Sequence, residues 1–235
     1  MSDWKPKRFW KEATVVADAD GHSVALDGRP VRTPAKALLV LPTRAMAEAV
    51  AAEWDAQGKV VDPESMPVTR SANAAIDKVR PQHAEVAEML AAYGDSDLLC
   101  YRADHPDELV ARQSAAWDPP LDWAETELSA RLLPAAGVIH RPQDPRALAA
   151  LGRRVHAMSP YHLAAFHDLV SMSGSLILGF AAALDWDRPE AIWQLSRLDE
   201  LWQEEIWGVD DEARTLAERK GKAFMHAKRF YDLAG

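Results

Sequence analysis

Chemistry in this chain could start from its histidines. His156, His162 and His167 form the densest cluster, and imidazoles on one helix face are a metal site in waiting. At 100° per residue, however, His156 and His162 lie about 240° apart. Ser159-Pro160 separates them further. Shared ligation would need a bend that nothing in the segment demands, so core or boundary histidines and no metal are expected. His167 and Asp168 are adjacent and project from different helix faces, a poor geometry for an acid/base dyad. The single cysteine, Cys100 in DLLCYR, has no histidine beside it. It reads as a small buried hydrophobe, and one cysteine suits a reducing compartment. GxGxxG, GxxxxGK(S/T), CxxC, GxSxG and HExxH are all missing from the sequence. Nucleotide and cofactor chemistry therefore lack local support. An enzyme would have to be assembled from dispersed groups such as His167, Asp168 and Arg70.

The densest charge lies in LDELWQEEIWGVDDE, residues 198–212, where seven carboxylates and two tryptophans occur without a base. On a continuous helix, Ala191, Leu195, Leu198, Trp202 and Ile206 fall within about 80° of one another and should face the core. The opposite stripe is Trp193, Arg197, Glu200, Glu204 and Trp207. Two accounts of that stripe stand side by side. In one, the tryptophans pack on neighbouring helices and Arg197 pairs with Glu200 or Glu204. In the other, indole anchors and one charge sign make a protein-docking face. Asp210, Asp211 and Glu212 sit where a last helix begins and Arg219, Lys220, Lys222, Lys228 and Arg229 lie toward its end, as the helix dipole prefers. Glu190 completes a capping box with Asp187. Trp54, four residues after Val50, is core by spacing and a second anchor if it is exposed. The candidate partner-binding set is Trp54, Glu190, Trp193, Arg197, Glu200, Glu204, Trp207 and Asp210.

The elements that must position these groups change character once along the chain. Residues 11–41 hold short β-prone runs punctuated by Asp20-Gly21 and Asp27-Gly28, the signature of antiparallel hairpins. Thr43 caps a helix over TRAMAEAVAAEWDAQ, with Met46, Val50 and Trp54 on one face and Gly58 as its stop. Beyond residue 67 the patterns are helical, at 68–79, 82–93, 106–117, 144–157, 160–184, 188–207 and 211–233, with the longest loop at 132–145. The expected fold class is α+β: a small N-terminal domain of antiparallel strands plus helix, residues 1–78, then an all-helical domain, residues 79–235. Ser171, Gly174, Ser175 and Gly179 are expected to let helices pack closely. At 235 residues and 48% hydrophobic content the chain buries a real core. Its formal net charge of −9 offers no field for nucleic acid. The apolar run 169–184 is too short for a bilayer.

Eight blocks carry a family resemblance: RFWKEATV, LDGRPVRTP, EWDAQ, MPVTRSANAAID, DLLCYRA, WDPPLDWA, MSPYHLAAFHDLVSMSGSLILG and LDELWQEEIWGVDDEA. Together they resemble the assembly chaperones that hold the α subunit of the F1 sector of ATP synthase, over nearly the whole chain and in the same order. The resemblance implies a chaperone without nucleotide chemistry. Such a protein binds free α subunit and hides its interface until the β subunit replaces the chaperone. It also implies a small α/β domain followed by a helical one. Eukaryotic members carry a mitochondrial presequence and work in the matrix. MSDWKPKRFWKEA reads as neither secretory signal nor transit peptide, so a bacterial, cytoplasmic homologue is expected. Pro120 should stiffen the turn in WDPPLDW. A scaffold that offers the same acidic face to another protein is the remaining alternative.

Overall fold

β1 (Ala13–Asp18) and β2 (Gly21–Leu26) pair antiparallel, with Ala13 opposite Leu26 and Asp18 opposite Gly21. In the computed structural model, which describes residues 7–235, β2 is the central strand. β3 (Arg29–Pro30) and β4 (Val40–Leu41) both pair with it on the side away from β1. The second hairpin turns at Asp27 and Gly28, with φ of 47° and 79°, the two positive values that a type I′ turn needs. The first hairpin turns one residue earlier than Asp20-Gly21 suggests, at Ala19-Asp20, because Gly21 is needed inside the strand. A Cβ there would lie 2.3 Å from the Leu41 carbonyl oxygen, so glycine permits the close approach of β4.

α1 (Arg44–Asp55) starts as expected at Thr43, whose hydroxyl accepts the Met46 N–H at 3.1 Å. It buries Met46, Ala47, Val50 and Ala51 in one core with the strand residues Val24 and Leu41 and with Leu39 just before β4. α2 (Pro67–Ala74) has no cap of its own. Instead Glu53 reaches over from α1 and accepts the Val68 N–H at 2.7 Å, the Thr69 N–H at 2.8 Å and the Thr69 hydroxyl at 2.7 Å. A carboxylate on free N–H groups at a helix start is favourable by charge and by hydrogen bonding. The expected helices 68–79 and 82–93 are joined: α2 runs through a π turn (Ala75–Val79) and a 3₁₀ turn at Pro81 into α3 (His83–Ala91). Within the π turn, Asp77 accepts the Thr33 hydroxyl at 2.6 Å and the Ala35 N–H at 3.0 Å.

After β5 (Tyr101–Arg102), α4 (Asp107–Glu127) continues through Pro119 and Pro120, so the expected end at 117 and the turn in WDPPLDW do not form. Two prolines remove two ladder N–H groups, but Trp117, Pro120, Leu121 and Ala124 are all buried along one side of the helix. Burial on both flanks of the defect outweighs the lost bonds. β6 (Ala135–Ala136) pairs parallel with β5 inside the expected loop. α5 (Pro145–His156) follows, capped by Asp144.

The expected helix 160–184 is two helices, α6 (Pro160–Ser173) and α7 (Leu176–Ala183). Gly174 takes φ 70° and Ser175 caps α7 by accepting the Leu178 N–H at 3.0 Å. α7 is buried along its whole length. A Cβ on Gly179 would meet Val170 at 2.6 Å, so this glycine does set the α6–α7 approach. The expected helix 188–207 also breaks, into α8 (Pro189–Ser196) and α9 (Leu198–Trp207), and α10 (Asp211–Leu233) closes the chain.

The architecture is α+β, the antiparallel sheet and two helices first and, apart from the short β5–β6 pair, helices thereafter. The chain forms two compact units. One comprises the chain up to His83 with Ser159–Ala165 and Arg229–Gly235; the other comprises Ala84–Met158 and Phe166–Lys228. Tyr161, Ala165, Phe230 and Ala234 accordingly belong to the core of the first unit. The polar N-terminal segment read above includes residues 1–6, which lie outside the described residues. No described helix is long and apolar enough to cross a membrane.

Candidate functional site

The break at Arg197 decides what the acidic segment presents. Arg197 has φ −109° and ψ 12°, and the Leu195 carbonyl that would continue the helix ladder accepts the Trp117 indole N–H at 2.9 Å. α9 therefore restarts with a new phase, its first turn carrying Asp199 and Glu200 where the dipole favours anions. The single helical wheel expected over 191–206 does not apply. Trp193, expected on the outer stripe, is 8% exposed; Ile206, expected in the core, is 52% exposed. The Trp193 ring stacks on Phe224 at 5.6 Å and lies over Gly221, where a Cβ would come within 2.9 Å of its indole nitrogen.

The carboxylates are mostly engaged within the protein. Asp199 accepts from Gln113 at 2.8 Å, Glu204 pairs with Arg197 at 3.1 Å, and Glu205 makes two contacts to Arg112 at 2.6 and 2.7 Å. Arg112 also lies 5.8 Å from the Trp202 ring centroid. Its guanidinium holds the Glu205 carboxyl below the usual range. Asp210 caps α10 through the N–H groups of Glu212 and Ala213, as expected, and Asp211 pairs with Arg214 at 2.7 Å. Glu200 and Glu212 are the two of the seven whose carboxylates have neither a hydrogen bond nor an ion pair among the described residues. Of the two expected accounts of the outer stripe, packing holds for Trp193 and for the Arg197–Glu204 pair. Trp207, by contrast, is 77% exposed.

Beside Trp207, sequence reasoning missed three more exposed apolar side chains: Ile206, Val209 and Leu216. The corner between α9 and α10 that carries them is made by Gly208, at φ 88°. A trough of about 400 Å³ opens along it, lined by Trp193, Glu200, Glu204, Trp207, Leu216 and Lys220 among others. The opposite side of the same seam holds a second depression that includes Glu190, Arg197 and Met225. Glu190 is exposed, and the expected capping box is not made: Asp187 accepts the Arg188 N–H, and Arg188 stands at the cap without a side-chain bond.

The other candidates are placed as follows. Trp54 is half-buried against Trp10, centroids 5.2 Å apart, and its indole N–H is enclosed without a partner among the described residues. Trp54→Ala should lower stability by about 2 kcal/mol, since a packed half-buried indole is lost. A thermal melt of the variant beside wild type checks this, a lowered midpoint being expected. His167 and Asp168 do meet, Nδ1 to Oδ1 at 3.0 Å, against the expectation from helix geometry, because both side chains bend toward one another at the half-exposed surface. That bond raises the His167 pKa. Arg70 belongs to the first unit, whereas His167 and Asp168 belong to the second. His156 pairs with Glu88, and His162 bonds Ser159. Burial lowers the His162 pKa. Cys100 is buried, its thiol pushed up to about 12. Among the described residues no group of three or more His, Cys, Asp or Glu could hold a metal ion.

An open face that leaves aromatic and aliphatic side chains in water suits a protein that holds other proteins. A family model described as ATP12 chaperone protein matches residues 7–125. The crystal structure of Atp12 from Paracoccus denitrificans is 48% identical, with a TM-score of 0.96 over 97% of this chain and 98% of that one. The Atu1473 protein from Agrobacterium tumefaciens is 43% identical, with a TM-score of 0.92 over 98% of this chain and 87% of that one. The mitochondrial protein atp12 of Schizosaccharomyces pombe is 24% identical over 222 residues, 89% of this chain and 76% of that protein. The chain belongs to the ATP12 chaperone protein family, the ATP synthase assembly chaperones that its sequence blocks resemble.

Proposed function

We propose that this protein holds the free α subunit of F1 in the bacterial cytoplasm and shields its subunit interface until the β subunit replaces it. The observation that carries the reading is the corner at α9 and α10, where Ile206, Trp207, Val209 and Leu216 stand in solvent beside Glu200, which has no partner among the described residues. An unassembled subunit exposes apolar surface that aggregates. A holdase needs a face that covers such surface yet yields to the true neighbour by mass action. Indole and aliphatic groups supply contact area, and a spare carboxylate supplies orientation toward a base. The contact set is Trp207 and Glu200 at its centre, with Glu190, Arg197, Glu204 and Asp210 shaping it. Trp193 supports it through packing on Phe224, whereas Trp54 packs on the core of the first unit. The job uses no nucleotide, cofactor or catalytic group.

The test mixes purified protein with isolated F1 α subunit, without nucleotide, and follows light scattering and size-exclusion elution. Suppressed aggregation with a shared peak that β dissolves is the expected result; unchanged scattering with separate peaks overturns the reading. Glu200→Lys should keep the fold, since Glu200 makes no pair among the described residues, and should weaken the α complex about tenfold through like-charge contact. Glu204→Lys also breaks the Arg197 bridge, so it is the less clean probe. Protection by E200K equal to that of the wild type removes Glu200 from the contact.

A further inference from the structure

We infer that the trough between α9 and α10 receives a short amphipathic helix of the client, its apolar side on Trp207 and Leu216 and a lysine or arginine of its flank against Glu200. This rests on the reading of that corner as the client contact and adds what the client must present there. The wall residues repeat every three or four positions on both sides, Glu200, Glu204 and Trp207 on α9 and Ala213, Leu216 and Lys220 on α10. The trough therefore follows the two helices for about two turns, roughly 10 Å at 1.5 Å per residue.

Both walls are helical, so their backbone groups are already bonded and only side chains face the opening. A strand laid there would leave its own N–H and C=O groups without partners, whereas a helix brings its backbone bonds with it. The charges then set which way it lies. Glu204 is tied to Arg197 and Asp210 caps α10. Glu200 is left as the carboxylate of the trough without a partner among the described residues. Lys220 stands on the facing wall. A client cation is drawn toward α9 and repelled from α10, so the base must lie on the α9 flank of the bound helix.

The probes are two synthetic peptides about four turns long, with the same leucine stripe and either lysines or glutamates along one flank. Calorimetry is run on the full-length wild type, Glu200→Lys and Trp207→Ala, with thermal melts and sedimentation of each protein alone. The lysine peptide should bind wild type at least about tenfold tighter than the glutamate peptide, E200K should invert that order, and W207A should weaken the preferred peptide about tenfold. Equal affinities, no binding, or an order that E200K leaves unchanged overturns the proposal. So does a wild-type dimer that W207A dissolves, because the corner is then covered by a second copy. The two readings fail separately. Charge-ordered peptide binding without protection of F1 α subunit overturns the client's identity and leaves the trough. Protection that survives both substitutions, with unordered peptides, overturns the trough and leaves the chaperone.

Discussion

Asp97→Ala is expected to cost about 4 kcal/mol and lower the melt by on the order of 10 °C. Asp97 is fully buried and accepts three hydrogen bonds: the Leu99 N–H at 3.0 Å, the Ser175 hydroxyl at 2.7 Å and the Ile177 N–H at 3.0 Å. It fastens the 3₁₀ turn at Leu98–Cys100 to the start of α7, the helix with no exposed residue. Alanine leaves those donors enclosed without an acceptor, and each such group costs about 1–3 kcal/mol. Burial also pushes the Asp97 carboxyl from 3.8 up to about 6 against the pull of its donors. Because the folded value is the higher one, the folded state binds more protons between about 4 and 6. The group's contribution is full below the unfolded pKa and falls as pH rises through about 6, by about 3 kcal/mol in all. Denaturant unfolding of wild type and Asp97→Asn at about pH 5 and about pH 7 isolates that slope. Wild type should lose ground relative to D97N as pH rises, and parallel curves would mean that Asp97 does not titrate in this window.

Trp193→Ala and Trp207→Ala should have opposite signatures, though both residues lie on one expected stripe. Trp193 is enclosed by Phe224 and Gly221, so its removal leaves a cavity and costs about 3–4 kcal/mol. Trp207 is in solvent, and its truncation should stay within about 0.5 kcal/mol of wild-type stability. For binding the order reverses: W207A should lose about 2 kcal/mol of affinity for F1 α subunit, roughly 30-fold, as a central indole anchor does. W193A compared at a temperature where it is folded should bind within about threefold of wild type. Melting curves beside titrations of α subunit read both quantities. W207A binding within twofold of wild type would remove the indole from the contact.

How much of this was legible varies by element, and the reasons are physical. The expected helix 211–233 and its acidic start were read correctly because capping and dipole preferences are local: Asp210 serves N–H groups two and three residues away. Thr43 and the Asp27-Gly28 turn were legible for the same reason. The helices 160–184 and 188–207 were not divided correctly. In the first, Gly174 and Ser175 did signal a break, but the apolar run masked it. In the second no local signal exists, because the Leu195 carbonyl is drawn away by Trp117, 78 residues distant in the chain. The prolines of α4 misled in the other direction, since a local rule met the burial of Trp117 and Leu121.

The sequence by itself determined the α+β class, the Asp27-Gly28 hairpin, the caps at Thr43 and Asp210 and the family, all of which depend on neighbours in the chain or on motifs read in order. Only the tertiary structure decided what the acidic segment does. Its carboxylates find partners far away, Glu205 at Arg112, 93 residues off, and Asp199 at Gln113, 86 residues off. A helical wheel carries no information about such partners. Once they are subtracted, the face is less acidic and more apolar than its composition, with Trp207 outside and Trp193 within. That division follows from one backbone break at Arg197, which rotates every later side chain relative to the core.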